Sequence, residues 1–145
     1  MFVTQILSGK STQGVLTIDP ATSIADAVAE LAARRIGALV VSSDGRRAEG
    51  ILSERDIVRR LGQDGADVLT HKVSDLMTSK LQTCAPGDRS DAILARMTEG
   101  RFRHMPVEED GLLVGLISLG DVVKARLSEV SMEKDALEAM ITGHA

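Results

Sequence analysis

The sequence predicts a mixed α/β (α+β) fold built from two similar halves, each running β-α-β-β-α, and followed by a helical extension. Three observations support this prediction. A motif of glycine, two aliphatic residues, serine, two variable residues and aspartate occurs at 50–56 and again at 115–121, an offset of 65 residues (56 to 121). Each copy follows a similar succession of apolar runs. Apolar residues at helical spacing then continue beyond the second copy. Such a duplication predicts one structural unit that occurs twice.

The first half follows the β-α-β-β-α order after a short apolar lead-in. A continuous apolar run at 38–41 predicts a strand that is buried on both faces, and Asp44-Gly45 predicts a turn after it. Ser23 is placed to cap the helix before that strand. In chain order, we predict a lead-in at 3–7, a polar stretch at 8–14, a strand at 15–18, a helix from Ser23 to Arg35, a strand at 38–41, and a strand and helix from Gly50.

The second half repeats these landmarks after a break. Cys84 occupies the position of Ile18, so we expect a small buried apolar residue there and not a nucleophile. We divide the chain into a first repeat with its lead-in at 1–62, a linker at 63–72, a second repeat at 73–127 and a helical extension at 128–145. Within the second repeat, we predict a lead-in at 73–77, a strand at 81–84, a helix from 91, a strand at 105–107 and a turn at 110–111.

The extension carries a three-four pattern typical of one helix face. An unbroken helix from Leu119 to Ile141 would be roughly 35 Å long at 1.5 Å per residue. Packing against the chain's own body and dimerisation explain such a face equally well. The apolar positions are Val123, Leu127, Val130, Leu137 and Ile141, with Lys134 in the same row.

Composition and charge exclude several classes of partner. The chain is 43% hydrophobic with a formal net charge of −4, so we expect neither a broad basic face nor a nucleic-acid partner. No apolar run reaches the roughly 18 residues of a membrane span. The first five residues lack the layout of a signal peptide. The single cysteine permits no internal disulfide. We therefore expect a cytoplasmic protein without a membrane partner.

The repeated motif has two interpretations. Ser53 and Ser118 stand before helical patterns and can act as N-caps, with Asp56 and Asp121 completing capping boxes. Alternatively, a hydroxyl, a carboxylate and free N–H groups at a helix start form a niche suited to sugar hydroxyls and phosphate. The recurrence of the motif inside matching repeats favours the ligand-binding interpretation.

Catalytic and metal chemistry find little support. Ser53 and Asp56 share one turn, and nothing places a base beside either serine of the motifs. His71 falls near a loop and His144 near the terminus. No cysteine or histidine pair has zinc spacing, and no phosphate-binding or dinucleotide glycine motif is present. We therefore predict no catalytic residue, no metal site and no required cofactor.

With these motifs in hand, the chain resembles tandem cystathionine-β-synthase (CBS) domains. The resemblance runs from Val3 to about Gly143 and is carried by the two motifs with Arg35–Leu39 and Arg103–Val107. The chain is especially similar to stand-alone bacterial proteins that contain little beyond one CBS pair. The resemblance implies that the repeats pack across a pseudo-two-fold axis and bind adenosine-containing regulatory ligands (AMP, ADP, ATP, NAD or S-adenosylmethionine) in the clefts between them. It also implies a homodimer that signals to an unidentified regulated protein.

The resemblance assigns residues to two clefts, each built crosswise from both repeats. In one cleft, Asp121 would hold the ribose hydroxyls with Ser118 beside it, while Thr17, Ile36 and Gly37 frame the base. The chemistry agrees, since an ionised carboxylate can accept two hydrogen bonds from a diol. Ile36 can also cover a purine face.

The mirror cleft is assigned in the same way. Asp56 would hold the ribose with Ser53 nearby, and Arg103 and His104 would face the phosphate region. Gly37-Ala38 occupies the equivalent place in the first repeat, so we predict one tight site or two sites of unequal affinity. The residues that would frame this base are Thr83, Phe102 and Arg103.

Two other functions remain open. The chain could be a scaffold whose clefts are vestigial and whose terminal helix is the functional surface, or it could be a small enzyme. Intact Asp56 and Asp121, together with Arg103-His104, favour a ligand sensor over both. The ligand, its number of phosphates and the regulated protein are not determined by the sequence.

Overall fold

Two small sheets, one in each half, organise the chain. The structure is a computed structural model that describes residues 1–10 and 14–143; Ser11–Gln13 of the predicted polar stretch, and His144, lie outside these ranges. A single-turn 3₁₀ helix at Ala66–Thr70 joins the halves. The other elements are α1 (Val3–Ser8), β1 (Thr17–Ile18), α2 (Ile24–Arg34), β2 (Ala38–Val41), β3 (Gly50–Ser53), α3 (Glu54–Asp64), α4 (Val73–Leu76), α5 (Ser90–Gly100), β4 (His104–Glu109), β5 (Leu112–Ser118) and α6 (Leu119–Thr142).

The first sheet has the order β1-β2-β3. β1 pairs parallel with β2, and β2 pairs antiparallel with β3 in a register that sets Ala38 opposite Ser53. All four residues of β2 are buried, which confirms the prediction from its unbroken apolar sequence. The Ser23 cap of α2 is also confirmed, because its side chain accepts a hydrogen bond from the Asp26 N–H.

The second sheet is an antiparallel hairpin of β4 and β5. Its register sets His104 opposite Ser118, as Ala38 is set opposite Ser53 in the first sheet. The two strands are joined by Asp110 and Gly111, whose φ angles of 54° and 75° suit a tight two-residue hairpin turn. The predicted turn is therefore confirmed.

The prediction of a strand at 81–84 is wrong. This segment forms only an isolated bridge, between Cys84 and Val107. The Cys84 N–H donates to the Pro106 carbonyl at 3.0 Å, so the backbone of Pro106 faces this segment. Proline has no N–H to extend a ladder on that side. The equivalent residue in β2 is Val40, which has an N–H, and β1 forms beside it over Thr17–Ile18.

The two lead-in helices are exchanged between the halves. Val3 and Ile6 of α1 are buried in the second core, against residues such as Met105 and Ile117. Val73 of α4 is buried in the first core. Each half therefore includes the lead-in that precedes the other half in sequence, as a two-fold relation between them would produce. The boundaries predicted along the chain are not the boundaries of the two cores in space.

Helix α6 confirms the long helical extension. Its 24 residues span about 36 Å at 1.5 Å per residue. Glu129 fixes its middle to the body, since it accepts from the amino terminus of Met1 at 2.5 Å and from Ser90 Oγ at 2.9 Å. The apolar row is exposed, with exposed fractions between 40% at Val123 and 83% at Ile141. Packing within the part of the chain that the structure describes therefore does not cover this row.

No described helix, α6 included, combines the length and the apolarity that crossing a membrane requires.

Candidate ligand-binding clefts

The two motif aspartates cap helices α3 and α6. Asp121 Oδ2 accepts from the Ser118 N–H at 2.9 Å, and the Asp121 N–H donates to Ser118 Oγ at 3.1 Å. Asp56 and Ser53 make the same pair of bonds at 3.0 and 3.2 Å. The capping interpretation is confirmed in both copies. It uses one carboxylate oxygen, and Oδ1 of each aspartate accepts no hydrogen bond from the residues described.

A cleft of about 840 Å³ lies between the halves, and we call it the Asp121 cleft. Its walls come from the end of α1, the segment that leads into β2, and β5 with the start of α6. It therefore contains surfaces from both halves and from the exchanged lead-in. Of the residues predicted for this cleft, the structure places four on its lining: Ile36, Gly37, Ser118 and Asp121.

Lys10 also lines the Asp121 cleft, and sequence reasoning did not identify it. Its ammonium donates to Asp121 Oδ2 at 2.9 Å and to the Leu116 carbonyl at 2.8 Å. Partial burial opposes ionisation of Asp121, but the Ser118 N–H and the Lys10 ammonium outweigh it and hold the pKa of this carboxyl below 3.8. Lys10 lies 111 positions from Asp121 in a polar stretch without periodicity, so no sequence pattern indicated the pairing.

The second cleft, of about 470 Å³, is called the Asp56 cleft. Ser53 and Asp56 come from the first half, and Phe102, Arg103 and His104 come from the second, as the crosswise prediction requires. Four further basic side chains line it that are not among the residues assigned to the cleft above. They are Arg55, Arg59, Lys80 and Arg101.

Gly37 and His104 line both clefts, so the wall between the clefts is thin. A Cβ built on Gly37 would lie 3.7 Å from His104 Cε1. Burial lowers the pKa of His104; Asp121 and Glu54 act to raise it, while Lys10 and Arg103 add to the lowering. His104 is therefore neutral at pH 7. It can exchange a hydrogen bond with a ligand, but it does not bring the positive charge to a phosphate that its place beside Arg103 in the sequence had suggested.

Thr17 and Thr83 are the two predicted residues that the structure does not place on either cleft. Thr17 lines a hollow beside α2 that adjoins the Asp121 cleft at Leu16 and Arg34, and the Thr83 carbonyl accepts from Arg96 at 2.8 Å. The preceding residues, Leu16 and Gln82, line the Asp121 and Asp56 clefts instead. Successive side chains of an extended segment point to opposite sides, so a shift of one position moves a residue off the cleft wall.

Other chemistry-bearing groups lie away from the clefts. Burial raises the pKa of the Cys84 thiol to about 12, which leaves it unreactive. Among the residues described, no group of three histidine, cysteine, aspartate or glutamate side chains is placed to hold a metal ion.

The sequence model of the CBS domain matches the chain twice, over residues 4–63 and 73–128. The chain belongs to the CBS domain family. The two matched segments are the two halves whose motifs form the clefts, so the protein is a CBS pair.

Relatives and solved structures agree with this assignment. The Arabidopsis thaliana protein CBSX3, named as mitochondrial, is 36% identical over 93% of this chain and 68% of its own length. Other Arabidopsis relatives are matched over only 22–24% of their length. The CBS-domain protein ATU1752 from Agrobacterium tumefaciens is 43% identical, with a TM-score of 0.82 over 87% of this chain and 99% of that one.

The fold also extends to more distant proteins. The CBS pair of the protein MJ0100 has a TM-score of 0.77 over 89% of this chain and 98% of that one. Its sequence is 21% identical, so this likeness shows the fold alone.

Proposed function

We propose that this CBS pair is a regulatory module that binds an adenosine-containing ligand (AMP, ADP, ATP, NAD or S-adenosylmethionine) between its halves and signals to a partner protein. The observation that carries the proposal is the pairing of each motif aspartate with a cleft. Asp56 and Asp121 each line a hollow, and each keeps one carboxylate oxygen without a hydrogen bond from the described residues.

The cleft chemistry suits an adenosine ligand. A carboxylate oxygen accepts from a ribose hydroxyl, and Ile36 or Phe102 can cover one face of a purine. The cleft volumes of about 840 and 470 Å³ lie within the usual range of small-molecule sites. The MJ0100 CBS pair was solved in complex with 5′-methylthioadenosine and S-adenosyl-L-methionine, which supports adenosine compounds as the class to test.

A ligand can regulate this protein because each cleft has walls from both halves. Binding favours one arrangement of the halves only if the ligand makes better contacts in that arrangement. A ligand that contacts Ile36 of one half and Asp121 of the other at the same time would favour the arrangement in which both residues reach it. We assign no reaction to the clefts. We propose a cytoplasmic location, because a single free cysteine suits a reducing compartment.

A thermal-shift panel tests the binding proposal directly. AMP, ADP, ATP, NAD and S-adenosylmethionine would each be added to the full chain. A ligand at 100 times its dissociation constant stabilises the folded state by about 2.7 kcal/mol, which a melting curve resolves. If none of the five raises the melting temperature, the scaffold function is favoured instead.

The best ligand would then be titrated against Asp56→Ala and Asp121→Ala. We expect at least one variant to lose about tenfold in affinity or more, since a charge-assisted hydrogen bond is lost. Asp75→Ala is the matched control, because Asp75 Oδ2 accepts a backbone N–H three residues earlier but lines neither cleft. Parent-like affinity in both cleft variants would show that the ribose assignment is wrong.

We also propose that α6 joins two copies of this chain. Its exposed apolar row alternates steps of four and three residues, the spacing of a coiled-coil seam, and a second copy presents the same row. Leu137→Lys should therefore shift sedimentation toward the monomer. Met132→Lys is the control, since Met132 is 65% exposed but lies off the row. An unchanged dimer in Leu137→Lys, or a monomeric parent, would contradict this assignment.

The scaffold is the second candidate function, and the exposed row on α6 is the observation that favours it. It predicts that Leu137→Lys disrupts assembly while no adenosine compound changes stability. Since Leu137→Lys should disrupt assembly under either candidate, the thermal-shift panel is the measurement that separates the two.

A further inference from the structure

The two clefts differ in the charge of the side chains that line them. The Asp56 cleft is lined by five basic side chains, and the acidic residues on its lining are Glu54 and Asp56. Among the residues that the structure describes, none of the five has an ion-pair partner or a side-chain hydrogen bond. The five are Arg55, Arg59, Lys80, Arg101 and Arg103.

The basic residues of the Asp121 cleft are instead neutralised by carboxylates of the same chain. Lys10 pairs with Asp121 at 2.9 Å, and Arg34 pairs with Glu30 at 2.7 Å. The larger cleft therefore offers little net charge to a ligand, whereas the smaller one offers an excess of three positive charges, from five basic and two acidic residues.

The five basic residues converge on one hollow from three parts of the chain. Arg55 and Arg59 are four positions apart on α3, so their side chains leave the same face. Lys80 lies in the segment after α4. Arg101 and Arg103 lie between α5 and β4 in the other half. Five like charges around one concave surface repel each other and focus a positive potential there. The start of α3 adds the partial positive charge of a helix N-terminus.

We propose that the Asp56 cleft selects an adenosine ligand with a di- or triphosphate chain, and that the Asp121 cleft takes an adenosine ligand with at most one phosphate. The selectivity rests on the proposed function, because Asp56 is taken to hold the ribose. The phosphate chain would then extend along the arginine and lysine side chains. A guanidinium group can donate two hydrogen bonds to a phosphate, and the lysine ammonium adds a compact positive charge. In the other cleft Asp121 neutralises Lys10, so no comparable positive charge is left there for a longer phosphate chain.

Isothermal titration of the full chain with adenosine, AMP, ADP and ATP tests the proposal. We expect affinity at one site to rise with phosphate number, and the ATP affinity to fall more steeply with salt than the AMP affinity. Arg55→Ala with Arg59→Ala should weaken ATP binding by about tenfold or more while changing the strongest AMP site by less than about twofold. Both arginines are exposed, so the variant should fold.

The matched control removes two exposed arginines that line neither cleft, Arg46→Ala with Arg47→Ala, and it should leave ATP binding unchanged. An equal loss in the control would show a general charge effect and overturn the proposal. Equal affinity of ATP and AMP at the Asp56 cleft, or an unaffected Arg55/Arg59 variant, would also overturn it while the adenosine-binding function stands.

Inorganic triphosphate distinguishes a nucleotide site from a simple anion site. We expect it to bind more weakly than ATP, because it lacks contacts to Asp56 and Phe102. If it binds as tightly as ATP, the nucleotide assignment of this cleft is overturned. If adenosine, AMP, ADP and ATP all fail to bind, the selectivity is overturned; the proposed function fails with it only if NAD and S-adenosylmethionine also fail to bind.

Discussion

Asp121 bonds the start of α6 through Oδ2, and the same atom receives the Lys10 ammonium at 2.9 Å. Asp56 repeats the cap, but Ser53 Oγ at 2.9 Å takes the place of a lysine. The two aspartates are thus equivalent in backbone geometry and different in charge environment. A residue that caps a helix can therefore also line a ligand site, and the two interpretations of the motif are compatible.

His104 carries a prediction about pH at the scale of one residue. Folding lowers its pKa below 6.5, so the unfolded chain binds the extra proton and stability is lost as the pH falls below about 6.5. His104→Gln should therefore reduce the loss of unfolding free energy between about pH 7 and pH 5, as measured by urea denaturation. An NMR titration of the His104 Cε1–H with a midpoint at or above 6.5 would contradict this.

Arg35 and Arg101 carry a prediction about backbone strain. Both end a helix in the left-handed conformation, with φ angles of 54° and 56°. Side chains other than glycine pay about 1 kcal/mol for this conformation. Arg35→Gly and Arg101→Gly should each stabilise the chain by about 0.5–1 kcal/mol in urea denaturation. Arg34→Gly, at the last residue of α2, should destabilise the chain. If Arg34→Gly and Arg35→Gly change the unfolding free energy in the same direction, backbone strain at Arg35 is excluded as the cause.

At the scale of elements, the motif glycines mark where the exchanged lead-ins touch the strands. A Cβ on Gly115 would lie 2.7 Å from Leu7 Cδ2 of α1. A Cβ on Gly50 would lie 2.6 Å from Met77 Sδ and 3.0 Å from the Thr78 carbonyl oxygen, just after α4. In both halves a Cβ on the motif glycine would press on the exchanged segment, on a side chain at Gly115 and on a side chain and a backbone oxygen at Gly50. The glycine in the motif is thus explained by packing between the halves.

Alanine substitutions at Gly50 and Gly115 should differ in cost, because one meets a backbone oxygen and the other only a side chain. Gly50→Ala should destabilise the chain by about 1–3 kcal/mol, because the Thr78 backbone is also bonded to Ile51 and cannot move away. Gly115→Ala should cost less, since the Leu7 side chain can change rotamer. Urea denaturation of both variants measures the difference, and a larger cost at Gly115 would contradict it.

At the scale of the whole molecule, the exchange of lead-ins links the two cores. The second core contains Val3, and the first contains Val73, each fully buried. Each core therefore needs the lead-in helix that precedes the other half in sequence. The CBS pair should therefore unfold as one unit, although its cores are built on separate sheets.

Val3→Ala tests this coupling. The buried methyl groups lost should lower the unfolding free energy by roughly 2 kcal/mol. Hydrogen exchange should show equal loss of protection in β2 and β4, because both halves open together. Val58→Ala is the control, as Val58 is 66% exposed and its loss should cost little. Protection lost in β4 alone would show that the halves unfold independently.

Local patterns predicted much of the fold and part of the site. The apolar run of β2, the Ser23 cap and the helical spacing of α6 are each written within one segment. The strand at 81–84 was mispredicted because its pairing depends on Pro106, more than twenty residues away. Thr17 and Thr83 were misplaced because repeat matching does not determine which side of an extended segment faces a cleft.

The sequence by itself determined the duplication, the family and the two capping aspartates, because each depends on residues close together in one repeat. Only the tertiary structure decided that the lead-ins exchange halves, that Lys10 pairs with Asp121, and that five basic residues without an ion-pair partner in the described part of the chain line the cleft of Asp56. These features join segments far apart in the chain. Their contacts depend on the packing of one half against the other, which no local spacing records.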